Sequence, residues 1–596
     1  MTSKTLNNNS TLGKTLSVMW WTIKKYKYTL IIYSIILFLT FPMVSVFYAV
    51  NNMSMSFDKT TFEFSLYNTL FAAAGIIFSV VISFINFSYM QKKTSVDWYF
   101  SFPMSRRSMF ASKYLASLVM SIVPILFMTL LGALIRLYQV NFYVLFTSFM
   151  MLVLAIVSNI SFAALLSVCC GTTVDAIISY CVISIIYPMA WGLIYFLPDM
   201  ILPGYVSNNI SVTLITALVP FVSQFAGIYA YMDSSDYSMY QTIHIVWWLI
   251  FIVLCMVGSF LLIRKRRAEM AQNAFAFSIP SFIIKVFAAV VSGIGLGLIF
   301  NSMGVKLDLF YLWFVLGAAI GVFSCNFFLH IIYFRGAKGF LKNLIQAAVS
   351  FVIVCVIYFS VITGGFGYVS RVPDVEDIQG VKIHMEDTHG SYSYYTDNRF
   401  GTEAGVYFED ENIIKTVQST HKGIVDNLNS VYGFPYNLNK QEKMGEAQDK
   451  DARFYSFRID YTLKNGSHLV REYQRGEIPP FAQDVLEKIM TSSDYKKELT
   501  GNFFSEDVRL ETIEYYSADT SMVITSSDAD FTPFLEALKK DFESAPYVEF
   551  DYMNTGRLDL TAIDNGGRRV RFNLNIDENY ENTLKELEKL KKETVR

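Results

Sequence analysis

Residues 344–373 read LIQAAVSFVIVCVIYFSVITGGFGYVSRVP, and the chain changes character inside this stretch. From Leu344 to Phe366 there is no charged residue, enough to cross a hydrocarbon core that needs about 20 apolar residues. From Gly367 to the end, 42 acidic and 28 basic residues give a net charge of −14. The preceding part holds 9 acidic and 21 basic residues, a net of +12, within a chain of 596 residues and net charge −2. One sequence therefore describes two environments: a membrane half and a soluble half.

Working back from Leu344, eight more apolar runs qualify as spans: 28–50, 67–90, 114–135, 143–168, 174–198, 241–263, 281–301 and 309–333. With 344–366 they predict an α-helical polytopic bundle of about nine transmembrane helices, six and then three. Cations set the orientation. Lys4, Lys14, Lys24, Lys25 and Lys27 precede the first span. Lys92, Lys93, Arg106 and Arg107 follow the second, Arg264, Lys265, Arg266 and Arg267 the sixth, and Arg335, Lys338 and Lys342 the eighth. These loops alternate with cation-poor ones, and 199–240 holds neither Lys nor Arg. The N-terminus is expected in the cytoplasm of a bacterial cell and the C-terminal domain outside it. Residues 211–232 are almost apolar enough to span, but a tenth crossing would turn the arginine cluster at 264–267 outward. They are read as a re-entrant or interfacial hairpin broken at Pro220, tolerated only against protein or water.

Ahead of the first span, 11–27 places Leu12, Leu16, Met19, Trp20 and Ile23 on one helical face. This predicts an interfacial amphipathic helix, or else an ordinary basic leader. All six cysteines lie in the membrane half, so the C-terminal domain folds without disulfides.

The soluble half alternates short strands with amphipathic helices. Hairpins are expected at 453–474, around Lys464-Asn465-Gly466, and at 557–576, around Asp564-Asn565-Gly566. Helices are expected before them, near 410–427 and 528–543, and after them, near 480–492 and 581–594. Arg471 and Arg571 share the 100-residue offset of the turns. The pattern predicts an α+β domain built by internal duplication of a strand–strand–helix–hairpin–helix unit; two common hairpins in coincidence is the alternative.

Catalytic signatures are absent. There is no GxxxxGK[ST], HExxH or GxSxG, and the six histidines are scattered. The chain is expected to be non-catalytic, with no cofactor or metal of its own. His244 and His330 fall in spans, as functional ionisable groups or as hydrogen-bonded packing residues. Lys285 and Arg136 are placed to snorkel from span ends. Asn86, Asn159 and Asn326 are expected to bond neighbouring helices. Gly293-xxx-Gly297 and Gly317-xxx-Gly321 predict close packing of the seventh and eighth spans.

The loop 91–117, QKKTSVDWYFSFPMSRRSMFASKYLAS, is too long for a tight turn and mixes aromatics, a central proline and paired arginines. Such an element can dock in a partner's groove, or be a cationic loop with interfacial aromatics. Its pattern resembles the loop between the second and third helices of type-2 ATP-binding-cassette (ABC) permeases. Asp97, Phe102, Pro103, Ser105, Arg106, Arg107, Lys113 and Tyr114 match, and Trp98 sits among them. A second stretch, RKRRAEMAQNAFAF at 264–277, resembles the basic segment after the sixth helix of some of these permeases. There Arg266, Glu269, Ala271 and Phe275 match, with Arg267 beside them. The likeness covers about 280 residues. It implies a coupling loop (Asp97, Trp98, Phe102, Pro103, Ser105, Arg106, Arg107) and a second cytoplasmic loop (Arg266, Arg267, Glu269). It also implies a cytoplasmic ABC ATPase subunit that binds ATP and Mg, and a second permease, identical or a sister chain. The lipid bilayer is a further partner; nucleic acid is not. The extra spans and C-terminal domain resemble a variant found in Gram-positive bacteria.

The expected organisation is a leader at 1–27, a permease-like bundle at 28–263, a cytoplasmic loop at 264–280, three further spans at 281–366 and an extracellular domain at 367–596. The expected function is the permease of an ATP-driven exporter of a peptide or amphiphile, such as an antimicrobial peptide. The rival is a membrane receptor or sensor whose outer domain binds a ligand without transport.

Overall fold

A computed structural model of the chain describes residues 11–50, 57–135, 142–206, 215, 217–220, 237–273, 275–304, 309–336, 343–387, 392–396, 402–403, 405–436, 453–503, 508–517, 521–526, 530–544, 555–564 and 569–594. It divides into two compact units. The first takes in residues up to 195, with 209–304 and 311–355; the second takes in 196–208, 305–310 and 356–596.

The helices of the first unit, three of which (α8, α11 and α12) reach into the second, are α1 (Thr11–Lys25), α2 (Lys27–Thr40), α3 (Pro42–Val50), α4 (Phe57–Phe87), α5 (Lys93–Phe100), α6 (Arg106–Ile135), α7 (Phe142–Cys169), α8 (Thr173–Ile201), α9 (Tyr237–Lys265), α10 (Ser278–Gly304), α11 (Phe310–Phe334) and α12 (Leu344–Ile362) among the described residues. Among the described residues nine helical segments are long and apolar enough to cross a membrane, and each falls on one of the nine expected runs. The first is broken between α2 and α3. Pro42 has no N–H to continue the ladder, and its ring crowds the preceding turn.

An apolar core joins α2, α4, α6 and α7, with Tyr33, Leu37, Phe87, Phe110, Ile125 and Ile156 buried in it. Polar pairs are threaded through it. Asn86 Nδ2 donates to Ser117 Oγ at 2.9 Å, and the Tyr180 hydroxyl donates to Asn159 Oδ1 at 2.5 Å. Such bonds fix which helices meet where apolar packing alone discriminates poorly. Asn326 differs from expectation: it is wholly buried, and among the described residues neither amide atom has a hydrogen-bond partner. Lys285 does not reach solvent; it is 2% exposed. With Asp175, Tyr333 and Arg335 it lines a cavity of about 670 Å³. His330 is bonded, its Nδ1 lying 2.5 Å from Asn343 Nδ2.

The four singled-out glycines lie where α10 meets α11. A Cβ on Gly317 would sit 2.6 Å from the Leu296 carbonyl oxygen, and one on Gly321 2.6 Å from that of Ser292. At Gly293 it would meet Val322, and at Gly297 the Phe314 ring. Backbones this close admit only glycine. Of 211–232, only Ile215 and Ala217–Pro220 are described; the Ala217 carbonyl accepts from Trp247 Nε1 at 2.9 Å, and the rest lies outside the described residues. Arg136 and the side chain of His244 also lie outside them.

The second unit carries β1 (Ile378–Asp387), β2 (Tyr392–Thr396), β3 (Thr402–Glu403), β4 (Val406–Phe408), α13 (Glu411–Tyr432), β5 (Phe454–Leu463), β6 (His468–Gln474), α14 (Pro480–Met490), α15 (Ser493–Phe503), β7 (Val508–Tyr516), β8 (Ser521–Thr525), α16 (Thr532–Ser544), β9 (Gly556–Asp564), β10 (Arg569–Ile576) and α17 (Glu581–Thr594). Two antiparallel sheets result, in orders β4-β1-β5-β6 and β3-β2-β10-β9-β7-β8. Without β2 and β3, the second reads β8-β7-β9-β10. It repeats the first strand for strand, and each sheet has a bulge near the start of its first strand. The β2–β3 ribbon leaves the first repeat and pairs with the outer edge of β10, which covers that edge. The sequence did not anticipate this ribbon or α15.

Register corrects one pairing. Arg471 lies opposite Ile459, and Phe572 lies opposite Leu560. The position equivalent to Arg471 is therefore Phe572, one residue beyond Arg571. Arg571 is exposed and Phe572 wholly buried.

Candidate functional site

The residues singled out in 91–117 and 264–277 come together on one platform. α5 is held by one face. Val96 and Tyr99, three apart, are buried, whereas Lys93 and Asp97 are exposed and Trp98 is 48% exposed. Pro103 follows the helix, restricting Phe102 to extended backbone and so preventing continuation. Phe102 folds back so that its ring lies 4.7 Å from Trp98, and Trp98 lies 5.5 Å from Trp21 of α1. α1 runs beside α6: Thr15 and Ser108 hydroxyls meet at 2.6 Å. On α1, Met19 is buried while Leu12, Leu16 and Trp20 are exposed, an apolar face that the described residues leave uncovered.

Beneath α5 lies Lys113, only 1% exposed. Its Nζ donates to Thr22 Oγ1 at 2.9 Å and to the Tyr99 hydroxyl at 3.3 Å. It also lies 4.7, 5.3 and 5.8 Å from the ring centres of Tyr99, Trp21 and Tyr89. Among the described residues it has no carboxylate partner, and aromatic faces surround it. The amine thereby ties α1, α5 and α6 to one point. Tyr114 bonds Ser161 of α7 at 2.8 Å.

Arg266 is the second tie, 6% exposed. Its Nη1 donates to the carbonyls of Ser167 and Val168, at 2.8 and 2.5 Å, and its Nη2 to that of Met90 at 2.9 Å. Ser167 and Val168 belong to the last turn of α7, whose carbonyls have no helical partner. Met90 stands just ahead of α5. One guanidinium thus caps a helix and pins the approach to α5. Arg106 closes the circuit. Its Nη1 donates to the Arg266 carbonyl at 2.7 Å, and its guanidinium lies 4.7 Å from the Phe100 ring centre. The segment beyond Arg266 lies against the α7–α8 turn, where Gln272 N–H bonds Gly171 O at 2.9 Å and Ala276 N–H bonds Cys169 O at 2.8 Å. Gly171 has no room for a side chain under the Met270 carbonyl. Ala271 is buried, and Phe275 packs edge-on to Tyr333 with ring centres 4.7 Å apart.

The singled-out residues therefore divide. Trp98, Phe102, Arg106 and Arg266 wire the platform together. Ser105 caps α6, its Oγ accepting from Ser108 N–H at 3.1 Å. Asp97, Pro103, Arg107, Arg267 and Glu269 stay exposed. These contacts tie α5 and its approach to α1, α6 and α7. Sequence reasoning missed Trp21, Thr22 and Tyr89 around Lys113; an uncompensated lysine among aromatics was the only signal. Compared with family models, curated proteins and solved structures, the chain matches none.

Proposed function

We propose that the chain is the permease subunit of an ATP-driven exporter of the ABC type, with α5 as its coupling helix. The observation that carries the reading is the wiring of α5: its inner face is locked through Lys113 and Arg266, while Lys93, Asp97 and Trp98 face outward. A docking helix must be free on one face and stiff on the other, because slack would absorb the ATPase's movement before it reached the spans. A receptor that only reports ligand makes no such demand. In this reading the α5 side faces the cytoplasm, the C-terminal domain lies outside the cell membrane, and ATP and Mg bind in a partner subunit. A second permease, identical or a sister chain, completes the assembly.

Exchanging Arg106 and Arg107 for glutamate reverses the charge beside the docking face. The double variant is expected to insert normally but to lose stimulation of its partner's ATPase. Normal stimulation would refute the assignment. The −14 charge of the C-terminal part favours a cationic peptide as cargo. Peptide binding to the full chain is then expected to weaken with salt and to exceed that of scrambled peptides of equal charge. Equal binding of both would remove this cargo.

A further inference from the structure

The second unit holds a cavity of about 520 Å³, of small-molecule size, lined by Tyr368, Arg371, Ser467, His468 and Arg471 among others. Its cations are unbalanced. Arg471 is 3% exposed, yet it donates only to carbonyls: Nη1 to Val470 at 2.8 Å and Nη2 to Tyr368 at 2.7 Å. Its Nε is buried with no hydrogen-bond partner among the described residues, and the guanidinium stacks 3.8 Å from the Tyr368 ring centre. Arg371 stands close enough to disfavour its charge, and among the described residues neither arginine has a carboxylate partner. His468 Nδ1 lies 3.0 Å from Asp460 Oδ1. Two unneutralised arginines at one cavity stand out in a part of the chain that carries −14.

The second repeat does without such a charge. At the register-equivalent place the second sheet carries Phe572, wholly buried, and its inward row (Leu558, Leu560, Ala562, Val570, Leu574) is apolar throughout. A buried guanidinium without a counter-ion costs stability that an apolar side chain would not. The arginine is thus explained by something that enters the cavity.

The cavity's place in the chain gives the setting. Gly365–Arg371 begin just past the last span, which ends at Ile362, and Val206, also in the lining, follows the span that ends at Ile201. Phe366, between Gly365 and Gly367, holds a left-handed φ of 55° and is 90% exposed. That conformation is costly for a bulky side chain. It leaves an aromatic ring exposed four residues past the end of the last span; such rings favour a bilayer interface.

We propose that this cavity is an anion site that takes a phosphate group at the membrane surface, held by the Arg471 and Arg371 guanidinium groups. The phosphate is either the headgroup of an anionic phospholipid or a free phosphate ester. The test uses the full-length chain in neutral detergent. Its melting temperature is followed on titration with phosphatidylglycerol in mixed micelles, with glycerol 3-phosphate, and with phosphatidylcholine as control. Stabilisation by phosphatidylglycerol alone identifies the lipid as source; stabilisation by glycerol 3-phosphate as well identifies a soluble ester. In either case Arg371→Gln, an exposed position, is expected to weaken binding roughly tenfold or more, the worth of a charge-assisted hydrogen bond. Arg471→Met is expected to abolish binding; it removes a buried charge but also the donor to the Val470 and Tyr368 carbonyls, so its ligand-free melting temperature is measured alongside. If Arg471→Met fails to fold, Arg371→Gln still decides. No stabilisation by either phosphate compound, or an Arg371→Gln protein that binds like the parent, would overturn the proposal.

Discussion

Replacing Arg266 with methionine isolates the wiring from the surface. The substitution keeps most of the side-chain volume but strips the carbonyls of Val168 and Met90 of their donor; that of Ser167 keeps a distant one, Gln91 Nε2 at 3.4 Å. A buried carbonyl left without a donor costs about 1–3 kcal/mol, so two cost about 2–6 kcal/mol. Relief from burying the guanidinium offsets part of this. A net loss of about 3 kcal/mol raises local opening on the order of 100-fold. Native-state hydrogen exchange in nanodiscs reads it directly, since α5 and the segment after α9 open to water when their tie is cut. Amides of Lys93–Phe100 and of residues 268–276 are expected to exchange on the order of 100-fold faster, while those inside α4, α6 and α7 hold their rates. Arg267→Met, at an exposed neighbour, is the control and should change nothing. If exchange in α5 rises less than about threefold in the Arg266 variant, Arg266 is not the tie and the mechanical argument fails.

Two more outcomes follow from the geometry. Burial, and secondarily the nearby Arg471, hold His421 down to about 3. The folded domain thus keeps it neutral, bonded to the Tyr461 and Tyr473 hydroxyls at 3.3 and 2.8 Å. Below the ordinary histidine value of about 6.5 only the unfolded chain takes the proton, so stability falls as pH drops, by about 1.4 kcal/mol per unit until about pH 3. Exchange protection of α13 should weaken by about 2 kcal/mol from pH 6.5 to 5 and level off in His421→Gln; a flat parent profile would contradict this. In the bundle, Gly321→Ile drives a side chain into the Ser292 carbonyl, where neither backbone can yield. It should cost about 1–3 kcal/mol or more, read as a lower melting temperature in detergent, and an unchanged one would refute the close approach.

The spans were legible because twenty uncharged residues in a row have few other uses, and the cation-rich loops because charge is expensive to move across a bilayer. The paired hairpins were legible through Asn465-Gly466, where Gly466 takes φ 79° and Asn465 Oδ1 accepts from Ser467 N–H. The β2–β3 ribbon was not, because its partner β10 lies more than 160 residues on and nothing local marks an edge that needs covering. Equal spacing also misled. Arg471 and Arg571 stand 100 apart, but the hairpins are offset by 101, and one residue in a strand turns a side chain to the other face. At the platform, the sequence offered Arg106, Arg107, Arg266 and Arg267 as equals. Burial separates them, since Arg266 lies where carbonyls at the end of α7 lack partners, a need visible only once three segments meet.

Comparison of the two repeats separates what folding requires from what it does not. Both build the same four-stranded order and pack an amphipathic helix, α13 or α16, beside it. In the second repeat the inward row is apolar. The first carries Tyr461, Arg471 and Tyr473 at those places, with His421 on α13 bonded to both tyrosines. A polar network of this kind contributes little that Leu and Phe do not supply next door, and its charged member is costly. At these inward strand positions, polar groups stand in the repeat whose sheet lines the cavity. Carrying the second repeat's choice back into the first, as Arg471→Phe, removes the buried charge but also the donor to the Val470 and Tyr368 carbonyls, and should leave a folded domain. It would lack only what the polar row provides. A domain that instead collapsed would show the arginine to be structural after all.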